Sequence, residues 1–318
     1  MPEPAIETEN LTKDYPTGFL ETKKMRSLDG LTMQVETGEV FGFLGPNGAG
    51  KSTTIKLLMS IIFPTSGTAR ILGRPIDDIS MHRDIGYLPE QPYFYDYLTA
   101  AELLDYFARI HGMRAAARRE RTEMMLKVVG LDTAKKIQLR KYSKGMLQRV
   151  GLAQALLHDP KLVILDEPMS GLDPMGRREV RDIILALKQQ GKTVLFSTHI
   201  LSDAEALCDR VAVIVGGKLQ GVGAPDAIVG LKSQGVEILF EHGGGGKTSK
   251  ILERATATGS RYRIQVGEES LYATLDELRQ IGARIVAVTQ LKPTLEEYFM
   301  HLVAANRAQT AAVEVSGK

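Results

Sequence analysis

Short apolar runs bounded by Gly, Pro or Asp alternate with longer helical patterns through about the first 230 residues. That alternation predicts a mainly parallel sheet with crossover helices, an α/β fold. Residues 39–44, 162–165, 193–196 and 211–215 are dominated by apolar side chains and predict core strands, while residues 5–11, 31–35 and 67–72 predict an antiparallel β flank. Over residues 98–146 the strand signals vanish. Ala, Leu, Met and Arg dominate there, as in Ala101-Glu102-Leu103-Leu104 and Met124-Met125-Leu126-Lys127-Val128-Val129, so a helical insert is expected over about residues 92–146.

The texture changes past Gly223. Residues 226–231 read as a short helix and 236–240 as a strand, and four consecutive glycines, Gly243-Gly244-Gly245-Gly246, favour a flexible turn. Strands at 261–266 and 285–288 with helices at 271–281 and 294–302 complete a small C-terminal α+β domain. The expected organisation is a first domain over residues 1–230, an accessory domain over 231–303 and a disordered, Ala-rich tail over 304–318.

Composition narrows the functional classes. Lys+Arg 40 against Asp+Glu 38 leaves a net charge of +2, so no global basic field points to nucleic acid. The one cysteine, Cys208, excludes an intramolecular disulfide and a cysteine-rich metal site, and it fits a reducing compartment. On its apolar helical stretch it reads as an inert small hydrophobe. No apolar run approaches the roughly 18 residues of a membrane-spanning helix. Met1-Pro2-Glu3-Pro4 has no basic segment followed by an apolar one, so the cytoplasm is the expected location. Arg114, Arg118, Arg119 and Arg121 read as a solvated helix face.

Gly45-Pro46-Asn47-Gly48-Ala49-Gly50-Lys51-Ser52, followed by Thr53, lies between the strand ending at Leu44 and a helical run. It fits the Walker A pattern in both sequence and context. Glycines let backbone N–H groups converge on phosphate oxygens, and the helix N-terminus adds partial positive charge. Lys51 is expected to neutralise the β and γ phosphates and the Ser52 hydroxyl to ligate Mg²⁺, a hard cation that prefers oxygen. A second feature is the apolar strand Leu162-Val163-Ile164-Leu165, which ends in Asp166-Glu167. Asp166 is placed to hold the metal's water shell, and Glu167 to orient and polarise an attacking water.

With the loop and the acidic strand end, Ser170-Gly171-Leu172-Asp173-Pro174 and Ser197-Thr198-His199 follow in the order of an ATP-binding cassette ATPase. The chain resembles that family over about residues 4–225. The resemblance implies a P-loop NTPase cassette with ATP and Mg²⁺ as ligands, Asp173 in the D-loop, and His199 as the switch histidine contacting the γ-phosphate. Tyr15 stands where the family stacks an aromatic ring on adenine. Tyr142-Ser143-Lys144-Gly145-Met146 occupies the signature position, where Ser143 and Gly145 are retained while Lys144 and Met146 replace the more usual Gly and Gln. In Gly86-Tyr87-Leu88-Pro89-Glu90-Gln91, which resembles the Q-loop, Glu90 follows the proline and Gln91 comes one later, so either can serve the metal.

The family pairs two cassettes head to tail, so that Ser143, Lys144, Gly145 and Met146 of one act in trans on ATP held by the other. A second cassette, identical or not, is therefore an implied partner. So is an integral membrane permease on a separate chain, which places the protein on the cytoplasmic face of the membrane. Tyr93-Phe94-Tyr95-Asp96-Tyr97 offers aromatic surface for such a partner or for packing within the insert. The C-terminal domain more loosely resembles the accessory domain of bacterial exporter cassettes and is expected to support pairing or assembly. The alternative is a soluble cassette ATPase remodelling a ribosome or DNA complex. Against it stand the near-neutral charge, the single cassette and the lack of a long coiled coil. A small-molecule P-loop kinase would leave the signature, Asp173 and His199 unexplained.

Overall fold

In the computed structural model, which describes residues 3–17, 23–229, 235–242, 250–259, 261–291 and 295–300 together with 302 and 304, the first strands are longer than expected. Strands β1 (Ile6–Thr17) and β2 (Lys23–Val35) pair antiparallel along their length. The polar extension of β1 is held by Arg26, whose Nε lies 2.8 Å from Asp14 Oδ1, and by Asp14 N–H donating to the Thr65 hydroxyl at 2.9 Å. Ion pairs and side-chain caps, rather than apolar alternation, carry the pairing there. Strand β3 (Val40–Leu44) leads through the glycine-rich loop into helix α1 (Lys51–Leu58). Strands β4 (Ser66–Ile71) and β5 (Arg74–Pro75) then complete a sheet of order β2-β1-β4-β5.

Strand β6 (Ile85–Leu88) precedes three helices, α2 (Ala100–Ile110) and α3 (Ala115–Val128) within the expected insert and α4 (Lys144–Leu156), which begins at its expected end and runs on beyond it. Beyond it come β7 (Leu162–Asp166), α5 (Pro174–Gln189), β8 (Thr193–Thr198), α6 (Leu201–Leu207), β9 (Arg210–Val215), β10 (Lys218–Gly223) and α7 (Pro225–Val229). The second sheet has the order β10-β9-β3-β8-β7-β6. Its strands are parallel except for β10, which closes one edge antiparallel to β9.

This sheet is covered on both faces, which is why its strands read as unbroken apolar runs. Along β7, Val163 and Leu165 enter a core shared with Leu103, Leu126 and Leu152 of α2, α3 and α4, while Leu162 and Ile164 enter the core of Ile55, Leu57 and Phe43 on the other face. Neither β6 nor β10 was legible as a strand. In β6, Gly86 interrupts the apolar pattern for a spatial reason: a Cβ there would sit 2.2 Å from the Ala155 carbonyl oxygen. Arg118 and Arg121 also depart from the expected solvated face. Arg118 Nε is 2.9 Å from Asp105 Oδ1, and Arg121 donates to the Leu156 and Leu157 carbonyls at 3.0 and 2.9 Å, tying α3 to its neighbours.

Val229–Tyr298 forms a compact unit distinct from the one holding the residues up to Ile228. It contains β11 (Gly235–Glu241), α8 (Lys250–Arg254), β12 (Thr256–Thr258), β13 (Arg261–Val266), α9 (Leu271–Gln280) and β14 (Arg284–Leu291). The sheet order is β12-β13-β11-β14. Val236, Ile238, Phe240, Ile264 and Val266 form its core with Ile251 and Leu278 of the helices. Residues 295–300 are helical, as is Ala304, where the tail was expected to begin. The glycine run and residues 305–318 lie outside the described residues. Among the described residues no helix is long and apolar enough to cross a membrane.

Candidate functional site

The loop between β3 and α1 is shaped by close backbone approaches. A Cβ at Gly45 would lie 2.5 Å from the Ile214 carbonyl oxygen. At Gly50 it would lie 2.6 Å from that of Ser27, and φ there is +108°. Only glycine meets both demands. The loop borders a cleft of about 290 Å³ lined by Pro46, Asn47, Gly48, Ala49, Gly50, Lys51, Ser52 and Thr53, with Ser27, Glu90, Glu167, Ser170 and His199 across from them. Eight residues of the loop and α1 therefore share one space with Glu167 and His199, which follow β7 and β8.

Lys51 is buried and donates through Nζ to the Gly45 carbonyl at 2.8 Å and the Pro46 carbonyl at 3.3 Å. The same Nζ lies 3.2 Å from Glu167 Oε1. On its other side, Glu167 Oε2 is 2.8 Å from His199 Nδ1. The carboxylate thus bridges the loop lysine and the imidazole at the end of β8. Glu167 adopts φ 50°, a left-handed conformation uncommon for a residue with a side chain, and it turns the chain sharply out of β7.

Ser197 holds this turn in place. Its hydroxyl donates to Asp166 Oδ1 at 2.6 Å and accepts from the Glu167 N–H at 2.9 Å, and it is fully buried. The parallel register puts Asp166 directly opposite Ser197, so the contact follows from strand pairing. Tyr87 on β6 also feels this region: burial first, and the Asp166 charge second, push its phenol up to about 12.

The cleft gathers every predicted loop residue from Pro46 to Thr53, together with Glu167 and His199. Gly45 contributes its carbonyl to Lys51. Of Glu90 and Gln91, Glu90 lines the cleft and Gln91 does not. Tyr15 is not among the lining residues either; its ring sits in the β1–β2 arm, opposite Met25, with Lys13 Nζ 5.3 Å from its centroid.

The signature residues lie elsewhere. Ser143 and Gly145 line a separate cleft of about 260 Å³ with Asp173, Gly171, Gly176 and Arg149. Ser143 also caps α4, accepting from the Met146 N–H at 3.2 Å. A Cβ at Gly171 would meet the Lys144 side chain, so Lys144 lies over that turn. Sequence reasoning missed Ser27, whose hydroxyl is 2.9 Å from that of Thr53, and gave no role of their own to Ser170 and Ser197, which stood only as members of their motifs. Serine is common and its signal weak; the partners of Ser27 and Ser197 come from segments distant in sequence.

Fold and cleft together define a P-loop nucleotide-binding protein. The ABC transporter family model matches residues 28–170. The chain is 44% identical over 297 residues to an uncharacterized ABC transporter ATP-binding protein of Synechocystis, covering 93% of this chain and 83% of that one. It is 36% identical to a bacitracin transport ATP-binding protein of Bacillus licheniformis (94% and 97% covered) and 32% identical to a Nod factor export ATP-binding protein I of Paraburkholderia xenovorans (95% and 98%). Among solved structures, the dimeric post-hydrolysis form of the ATP-binding cassette MJ0796 with ADP and Pi matches at TM-score 0.64 and 26% identity, covering 69% of this chain and 98% of that one. The chain belongs to the family of ABC transporter ATP-binding subunits, and it is an ATP-binding ATPase.

Proposed function

We propose that this chain energises export through a separate integral membrane permease, bound to the cytoplasmic face of the membrane as one of two paired cassettes. The observation that carries the catalytic part is the Lys51–Glu167–His199 bridge across the loop cleft. Incoming γ-phosphate competes with Glu167 for Lys51, so binding releases the carboxylate to orient and polarise an attacking water. His199 holds that carboxylate from the far side and stands within the same cleft to contact the γ-phosphate.

The oxygen donors suit a hard cation: the Ser52 hydroxyl and Glu90 line the cleft, and Asp166 is fixed beside it by Ser197. Ser52 and Asp166, with Glu90 favoured over Gln91, would hold Mg²⁺, which when bound neutralises charge on the β and γ phosphate oxygens. Among the described residues no group of three or more His, Cys, Asp or Glu could hold a metal alone, in keeping with a cation completed by phosphate and water.

Pairing is supported by the separation of the loop cleft from the Ser143–Gly145–Asp173 cleft on one chain. Each is half of a phosphate site, and a two-fold arrangement brings Ser143 and Gly145 of one copy onto the nucleotide of the other. ATP then favours the closed pair because its γ-phosphate contacts both halves, and hydrolysis removes that preference. Export is supported by the names of the bacitracin and Nod factor relatives, and Tyr93, Tyr95 and Tyr97, at 97%, 53% and 60% exposure, offer aromatic surface to a permease. The test is affinity purification of the tagged chain from detergent-solubilised membranes. A stoichiometric polytopic membrane protein is expected; recovery only with ribosomal or DNA-associated proteins would overturn the permease reading.

A further inference from the structure

Strand β2 carries an irregularity beside the phosphate loop. Lys13 of β1 pairs with Leu28 and Asp14 with Arg26, which leaves Ser27 as an extra residue on β2, unmatched on β1. A bulge of this kind bends its strand and re-aims a side chain, and bulges gather next to binding sites for that reason. Here the re-aimed residue reaches the cleft. Ser27 lines it together with the loop, and its hydroxyl lies 2.9 Å from that of Thr53 on α1. Flanking contacts hold it there. The Ser27 carbonyl sits so near Gly50 and Gly217 that a Cβ on either would come within 2.6 and 2.9 Å of it, and the Asp29 N–H donates to the Gly217 carbonyl at 2.9 Å.

The hydroxyl pair can run in either direction. Each hydroxyl has one proton and two lone pairs, so one of the two donates and the other keeps its proton for a third group. A threonine within a helix ordinarily gives that proton to the carbonyl four residues back. Thr54 does so, donating to the Gly50 carbonyl at 3.0 Å. For Thr53 the corresponding carbonyl is that of Ala49, which accepts the Gly217 N–H at 3.0 Å. Among the described residues, the side chain that the Thr53 hydroxyl meets is that of Ser27. A phosphate oxygen only accepts, so it can bond to Thr53 only when Ser27 is the donor of the pair.

We propose that Ser27 is a positioning residue for nucleotide binding. Its hydroxyl donates to Thr53 Oγ1, and the Thr53 proton is thereby left to donate to a phosphate oxygen in the cleft. This role rests on the reading of the loop cleft, Thr53 included, as the nucleotide site. A bond to charged phosphate is about twice as strong as a neutral one, so the nucleotide favours the direction in which Thr53 donates to it. Ser27 also fixes the Thr53 hydroxyl before the nucleotide arrives, which lowers the ordering cost of binding. The bond forms to a phosphate that is present in the ground state and in the transition state alike. Its effect therefore falls on affinity and leaves the chemical step unchanged.

The experiment is a double-mutant cycle on the full chain with Ser27→Ala and Thr53→Val, read as equilibrium affinity for a fluorescent ATP analogue and as KM and kcat for ATP hydrolysis. Ser27→Ala removes the hydroxyl and keeps the carbonyl that packs on Gly50 and Gly217. Alone it should weaken binding and raise KM by about fivefold, the size of one net hydrogen bond, with kcat within about twofold of wild type. Thr53→Val should weaken binding at least as much, and adding Ser27→Ala to it should change affinity by less than about twofold. An equal loss from Ser27→Ala in both Thr53 backgrounds would overturn the proposal, because the serine would then act without Thr53. A lowered kcat at unchanged KM would overturn it as well. Thr53→Val separates the proposal from the reading beneath it. Weakened binding there with none from Ser27→Ala removes only the positioning role, whereas full affinity in Thr53→Val removes Thr53 from the nucleotide site and the positioning role with it.

Discussion

Replacing Glu167 by glutamine keeps the side chain's size and removes its charge at the point where two partners meet it, Lys51 Nζ at 3.2 Å and His199 Nδ1 at 2.8 Å. A positioned general base contributes about 10²–10⁴-fold, which at 1.36 kcal/mol per decade is about 3–5 kcal/mol of transition-state stabilisation. Binding should move the other way. In the wild type, ATP must displace Glu167 from Lys51 and bring its γ-phosphate beside a carboxylate; at ~4 Å and an effective dielectric near 20 that repulsion is about 4 kcal/mol before screening. Screening and the loss of the ion pair reduce the net gain, so ATP affinity should rise by about tenfold rather than by the full Coulomb figure. Equilibrium binding of a fluorescent ATP analogue and single-turnover hydrolysis separate the two effects. Turnover within about threefold of wild type would refute the assignment of the water-polarising group. Weakened binding would refute the competition between Glu167 and phosphate for Lys51.

Ser197→Ala should cost about 1–3 kcal/mol in urea denaturation, since it strips a buried hydroxyl from both Asp166 and the Glu167 N–H. It should also lower kcat by about tenfold; unchanged kcat would mean that the hydroxyl serves folding only. Ser143→Asp preserves the α4 cap, because aspartate caps as well as serine, so stability should stay within about 0.5 kcal/mol while ATP hydrolysis is lost to a carboxylate facing phosphate across the pair. Ser143→Ala should instead cost about 1 kcal/mol, measured by the same denaturation. His158 is held down to about 4, from an ordinary value of 6.5, by burial first and by His111 second, whose ring stacks on it at 3.9 Å. Between those values the unfolded chain binds more protons than the folded one, so stability rises with pH across the window and falls by about 1–2 kcal/mol from pH 6.5 toward 4 once exposure of the ring is discounted. His158→Gln should flatten that dependence, read from urea midpoints at pH 7 and pH 5.

The phosphate loop and the acidic strand end were legible because their information is local. A glycine-rich turn between a strand and a helix carries its geometry in consecutive residues, and an apolar run with two terminal acids fixes where Asp166 and Glu167 emerge. The core strands β3, β7, β8 and β9 were readable for the same reason: burial on both faces leaves no polar position to confuse the period. Strand β6 was hidden by Gly86, whose missing side chain answers to the Ala155 carbonyl on a helix almost 70 positions away.

What lies across the sheet had to come from folding. Asp166 meets Ser197 because β7 and β8 run parallel in one register, and no spacing along the chain states that register. The Ser27–Thr53 contact, the anchoring of Arg118 by Asp105, and the absence of Tyr15 from the cleft lining are likewise outcomes of packing between distant segments. Local backbone chemistry writes turns and periods into neighbouring residues, whereas the partner of a side chain depends on which surfaces are brought together when water is expelled from the core.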